Sequence, residues 1–184
     1  MFLDVALGIF GAIIFANSQK VELSLFLILF GVISILLVDL NAFVPTKKYK
    51  LDKFHHNHRE LLHYPLIFIP AGFVLVLIIF NLPLAILFAV LSFLHFIHDS
   101  VGIGWGIQWL YPFSKKFYKF FSDETNELST RFMISWTPEA QEIAAKKYGR
   151  ENWIKYYYFR PTPISIVEYS AFIIALIVLA FKLL

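Results

Sequence analysis

Five long apolar stretches occupy most of this 184-residue chain, and short polar turns or one basic loop separate them. A stretch of about 20 apolar residues matches the hydrocarbon core of a bilayer, with a lower limit near 17. The stretches predict crossings near 2–18, 21–38, 61–80, 82–99 and 164–184, leaving 100–163 as the one long extramembrane region. Composition agrees. Hydrophobic residues make up 59%, charged residues only 16%, and mean hydropathy is +0.68, against roughly 45–50% apolar in soluble domains. The expected fold is an all-α, polytopic helical bundle with a helical cytoplasmic cap. No repeat or Gly/Ser linker divides it, so one domain is expected over 1–184. The first stretch carries Asp4, lacks a basic leader and runs at once into a second apolar segment, so it reads as a membrane helix and not as a signal peptide.

Local signals place several helix ends. Pro83, after Asn81, suits a helix start, where its missing N–H costs nothing. Thr137, Pro138 and Glu139 supply a capping hydroxyl, a first-turn proline and an acid, so a surface helix should follow and end near Gly149. Trp105, Trp109, Tyr111 and Phe113 suit the headgroup layer. The alternating basic and aromatic residues from Lys116 to Phe121 suggest an interfacial helix, anchoring a cap of residues 115–160 over the membrane face.

Of the 16 Lys and Arg residues, 14 fall in 47–63 and 100–163, and only Lys20 and Lys182 fall elsewhere. By the positive-inside tendency these loops face the cytoplasm. Their charge, within a net of +3, suits anionic headgroups better than nucleic acid.

An up-and-down arrangement also brings the ionisable residues to that side. Asp39 closes the second stretch, and His95, His98 and Asp99 close the fourth. His95 and Asp99, at i and i+4, share a helical face, with His98 nearby. Ionisable groups inside a spanning segment are costly and serve a site. Asp4 lies on the same side and reads as a solvated terminal charge. Between the second and third stretches stands His55-His56-Asn57-His58-Arg59-Glu60-Leu61-Leu62-His63. In a continuous helix His56 aligns with His63, whereas His58 aligns only if the helix begins between them, so spacing leaves open which histidine pairs with His63. His55 and His56 also fit a cationic patch against lipid phosphate. There is no cysteine, so any metal must take nitrogen and oxygen donors, which favours zinc, manganese or iron.

Two segments resemble a known family. His58-Arg59 followed by His63 looks like the His-Arg-Gly-x-Thr-His-Ser motif of the membrane-bound metal-dependent hydrolases, the LexA-binding, inner membrane-associated, YdjM-like family. The run from His95 through Asp99 and the glycines to Leu110-Tyr111-Pro112-Phe113-Ser114 is similar to its second motif, and Asp39 stands where the family carries an Asp. The resemblance covers roughly residues 30–114. Glu60, Leu62 and Tyr64 replace the family's Gly, Thr and Ser, and Asn41 replaces a second Asp. The resemblance implies a divalent metal, zinc foremost, held by Asp39, His58, His63, His95 and Asp99, and hydrolysis at the cytoplasmic face of the inner membrane. One of the carboxylates, or Glu60, would take a proton. Arg59, with a planar donor fork, would hold a phosphate-bearing lipid or amphiphile. Two alternatives stand beside this. A diiron lipid hydroxylase needs about eight histidines in paired boxes, and the chain has six. A non-enzymatic protein binding metal or headgroups through its histidines would use the same cluster, whereas a transporter should carry ligands near the midplane.

Overall fold

The computed structural model describes residues 1–43, 62–150 and 152–184. Helix α1 (Phe2–Gln19) ends where Lys20 turns left-handed, at φ 54°, and its N–H reaches the carbonyls of Ala16 and Asn17. Helix α2 (Leu25–Leu36) starts four residues later than the expected crossing, because the Ser24 side chain accepts from the Leu27 N–H and caps it there. It tightens into a 3-10 segment, Leu37–Phe43. Helix α3 (Pro65–Ile79) has proline in its first turn. Helix α4 (Leu82–Val101) is capped by Asn81 with Pro83 in its first turn, as expected.

After α4 the chain departs from the all-α expectation. Phe117–Ser122 (β1) and Leu128–Trp136 (β2) form a two-stranded antiparallel sheet. The segment expected as an interfacial helix is therefore a strand. Its rings and Lys119 alternate between faces, and aromatic residues favour a pleated, half-buried surface. The turn is closed by Asp123, which accepts from the Thr125 hydroxyl at 2.7 Å and from the amides of Thr125 and Glu127 at 2.8 and 3.1 Å. The Thr125 contacts hold the Asp123 carboxyl below the usual carboxylate range. Helix α5 (Pro138–Tyr148) begins at the Thr137 cap and stops at Gly149. It packs Ala144 and Ala145 with Trp105, Ile134 and Trp136. Helix α6 (Trp153–Tyr158) is short, and α7 (Pro163–Leu183) opens with a reciprocal Thr162–Ser165 capping box.

Among the described residues, three helices, α1, α4 and α7, are long and apolar enough to cross a membrane, and two further apolar helices are shorter. At 1.5 Å per residue, α3 with its 15 residues reaches about 22 Å, less than the roughly 30 Å hydrocarbon core. Ile166, Val167, Ile173, Ile174, Ile177 and Phe181 on α7, and Leu75, Ile78 and Ile79 on α3, are exposed. In water each would forgo roughly half or more of the about 1.5–3 kcal/mol that full burial supplies. Facing lipid tails, they forgo none.

Small residues let the bundle close. Gly8 on α1 meets Gly31 on α2 so closely that a Cβ on Gly31 would lie 2.3 Å from the Gly8 carbonyl oxygen. Ala12 and Ala16 continue the contact. Likewise the Phe88 ring of α4 fills the place of a side chain at Gly72 on α3, where a Cβ would lie 2.2 Å from Phe88 Cε1.

Candidate metal centre

Each of four side chains reaches one end of the bundle for a local reason. The 3-10 segment carries Asp39 past the end of α2. Pro65 disfavours helical geometry in the residue before it. Tyr64 is accordingly extended, at φ −111° and ψ 92°, so His63 precedes the helix and is not part of its regular face. His95 and Asp99 sit one turn apart on α4, both buried.

Asp39, His63, His95 and Asp99 each offer one atom to a group lying within 4.8 Å of one another. His63 Nε2 is 3.3 Å from Asp39 Oδ1 and 3.2 Å from Asp99 Oδ2. His95 Nε2 is 3.7 and 3.4 Å from the same two oxygens. These spacings suit coordination. Ligands about 2.0–2.1 Å from a tetrahedral centre are about 3.3 Å from each other. Two carboxylates whose oxygens lie within 4.8 Å of each other repel, and a cation between them would offset the repulsion. The cluster could hold a metal ion. His63 and His95 are at most 1% exposed, whereas the Asp39 side chain is 27% exposed, so the opening lies along Asp39.

Surrounding contacts hold the ends together. Tyr64 stacks on Tyr111 with centroids 4.0 Å apart, so the residue after His63 ties that segment to the loop after α4. The Trp109 indole donates to Ser100 Oγ at 2.8 Å, and Ser100 donates to the Phe96 carbonyl at 2.8 Å. Lys119 is 1% exposed. Its ammonium donates to the carbonyls of Gly102 and Gly104 at 2.9 and 2.6 Å and to Asn126. It pins the hairpin to the loop that follows Asp99.

Of the remaining sequence candidates, His58, Arg59 and Glu60, with His55 and His56, lie outside the described residues. Asp4 requires a correction. Expected to be a solvated charge, it is 1% exposed, because α1 packs against α4 and brings it to His98 Nδ1, 2.9 Å away. Glu168, not anticipated at all, is 2% exposed and lies 3.5 Å from His98 Nε2. Its signal was available, since a lone acid near the start of an otherwise apolar span is costly without a partner.

The model of the YdjM inner membrane protein family matches residues 3–183. No curated protein and no solved structure matches the chain.

Proposed function

Because the chain belongs to the YdjM inner membrane protein family, we propose that it is a membrane-embedded, metal-dependent hydrolase working at the cytoplasmic headgroup layer. The observation that carries this is the four-atom cluster of Asp39, His63, His95 and Asp99, all within 4.8 Å of one another and with His–carboxylate spacings of 3.2–3.7 Å. In this reading five segments cross the bilayer, with α2 and α3 completed by their flanking residues, and the cluster and the hairpin share the cytoplasmic side.

Two neutral imidazoles and two carboxylates form a donor set that zinc accepts, and His58 would add a further donor. A divalent metal in such a site supplies Lewis acidity toward an ester oxygen and lowers the pKa of water from 15.7 to about 7. His63 and His95 would bind through Nε2. The more exposed carboxylate, Asp39, stands where water and substrate would arrive and, like Glu60, is suited to accept a proton. Arg59 would orient a phosphate through paired N–H donors. A phosphate-bearing lipid or amphiphile is the proposed substrate class, supported by the basic loops and by the site's place at the end of the apolar bundle.

Metal analysis of purified wild type and His63→Ala tests the proposal. Wild type should carry a stoichiometric divalent metal and the variant should lose it. A wild type that takes up none would instead favour a non-enzymatic protein binding headgroups through its histidines.

A further inference from the structure

We infer that Asp4 is a positioning residue for His95, holding the imidazole so that Nε2 faces the candidate metal centre; this rests on the metal reading above. His95 lies between two sets of carboxylates. Its Nε2 faces Asp39 and Asp99, while its Nδ1 is 3.3 Å from Asp4 Oδ1. His95 Nδ1 makes no aligned hydrogen bond, and a small turn of the ring would aim its N–H at that oxygen, 3.3 Å away. An anion at Nδ1 selects the ring form that keeps its proton there and leaves the Nε2 lone pair for a metal. Histidine ligands recurrently use this arrangement, and losing the outer partner costs 10–100-fold in metal affinity.

Asp4 is itself held. His98 Nδ1 lies 2.9 Å from the same oxygen. Behind it Glu168 accepts from the Phe2 amide at 2.9 Å and from the Tyr158 hydroxyl at 3.2 Å. The series runs from α7 through α4 to α1 and back to α4 at His95. Burying Asp4 and Glu168 among apolar helices is costly unless each is paired, and the pairing fixes Asp4 on the side of His95 away from the cluster. Asp4 thus acts through His95, and it is not one of the four converging groups.

The test uses the full chain in detergent, with cobalt and zinc as the probes. Asp4→Asn keeps shape and removes charge, and Glu168→Gln does the same at the far end of the series. Asp4→Asn should bind cobalt 10–100-fold more weakly than wild type, with a metal-free melting temperature no lower than that of Glu168→Gln. At saturation its visible cobalt spectrum should match wild type, because the ligands are the same. Glu168→Gln, which reaches His95 only through His98 and Asp4, should lose less cobalt affinity than Asp4→Asn. Wild-type affinity in Asp4→Asn would overturn the inference while leaving the metal reading intact. So would equal losses in both variants that track a lowered melting temperature, which mark a purely structural role. An altered saturated spectrum would make Asp4 a ligand and also overturn it. If wild type binds no cobalt or zinc, both the metal reading and this inference fail.

Discussion

Gly31→Ala should damage the candidate centre from a distance. The new Cβ would sit 2.3 Å from the Gly8 carbonyl oxygen and 3.4 Å from Ala12 Cβ. The first of these contacts is with backbone, which cannot rotate away, so α1 and α2 must part by roughly 1 Å to reach ordinary contact. Overpacking of this kind costs about 1–3 kcal/mol. For a chain of this length each kcal/mol lowers Tm by about 2–4 °C, so the melt followed by circular dichroism should fall by roughly 2–12 °C. Helix α1 carries Asp4 and α2 leads into Asp39, so cobalt affinity should fall as well. Gly11→Ala is the internal comparison. Its Cβ would meet Leu91 Cδ2 at 2.9 Å, the far end of a flexible side chain that can turn aside, and the loss should be the smaller of the two. A Gly31→Ala protein that melts with wild type, or a Gly11→Ala protein that melts lower than it, would refute the argument that the α1–α2 backbone contact sets this spacing.

His95→Ala and Arg59→Ala should separate metal from substrate. The first should lower bound metal and all hydrolysis together, and the second should spare the metal and weaken turnover of phosphate-bearing lipids more than of neutral esters; equal losses on both substrates would remove Arg59 from phosphate recognition. Lys119→Met keeps the buried stem but strips donors from the Gly102 and Gly104 carbonyls. Each orphaned carbonyl costs about 1–3 kcal/mol, so the hairpin should become protease-sensitive in detergent, and an unchanged digestion pattern would contradict the pinning role. Protease added to inverted vesicles should cut within 115–160 while intact spheroplasts protect it; the opposite pattern would reverse the proposed orientation.

Much of the helical layout was legible because its signals are local. Asn81 with Pro83, Thr137 with Gly149, and the apolar run into α7 specify helix ends from within a few residues. The grouping of Asp39, His63, His95 and Asp99 was expected from an up-and-down order of the apolar stretches, although their spacing to within 4.8 Å depends on how α3 and α4 pack. Features set by distant partners were harder to read. The hairpin looked like an interfacial helix, since basic and aromatic residues alternate in both, and only the pairing of Phe117 with Trp136 and of Ile107 with Tyr118 makes it a strand. Asp4 looked solvated because nothing near it in the chain announces His98, which lies 94 residues away.

The Phe88 ring seated over Gly72 acts as a ratchet stop between two helices that lipid alone would let slide. Moving α3 by one turn would carry His63 about 5.4 Å along the bundle axis, farther than its 3.2 Å reach to Asp99. A glycine that touches none of the candidate ligands therefore calibrates, from the middle of the apolar interior, the gauge of a polar centre at its end.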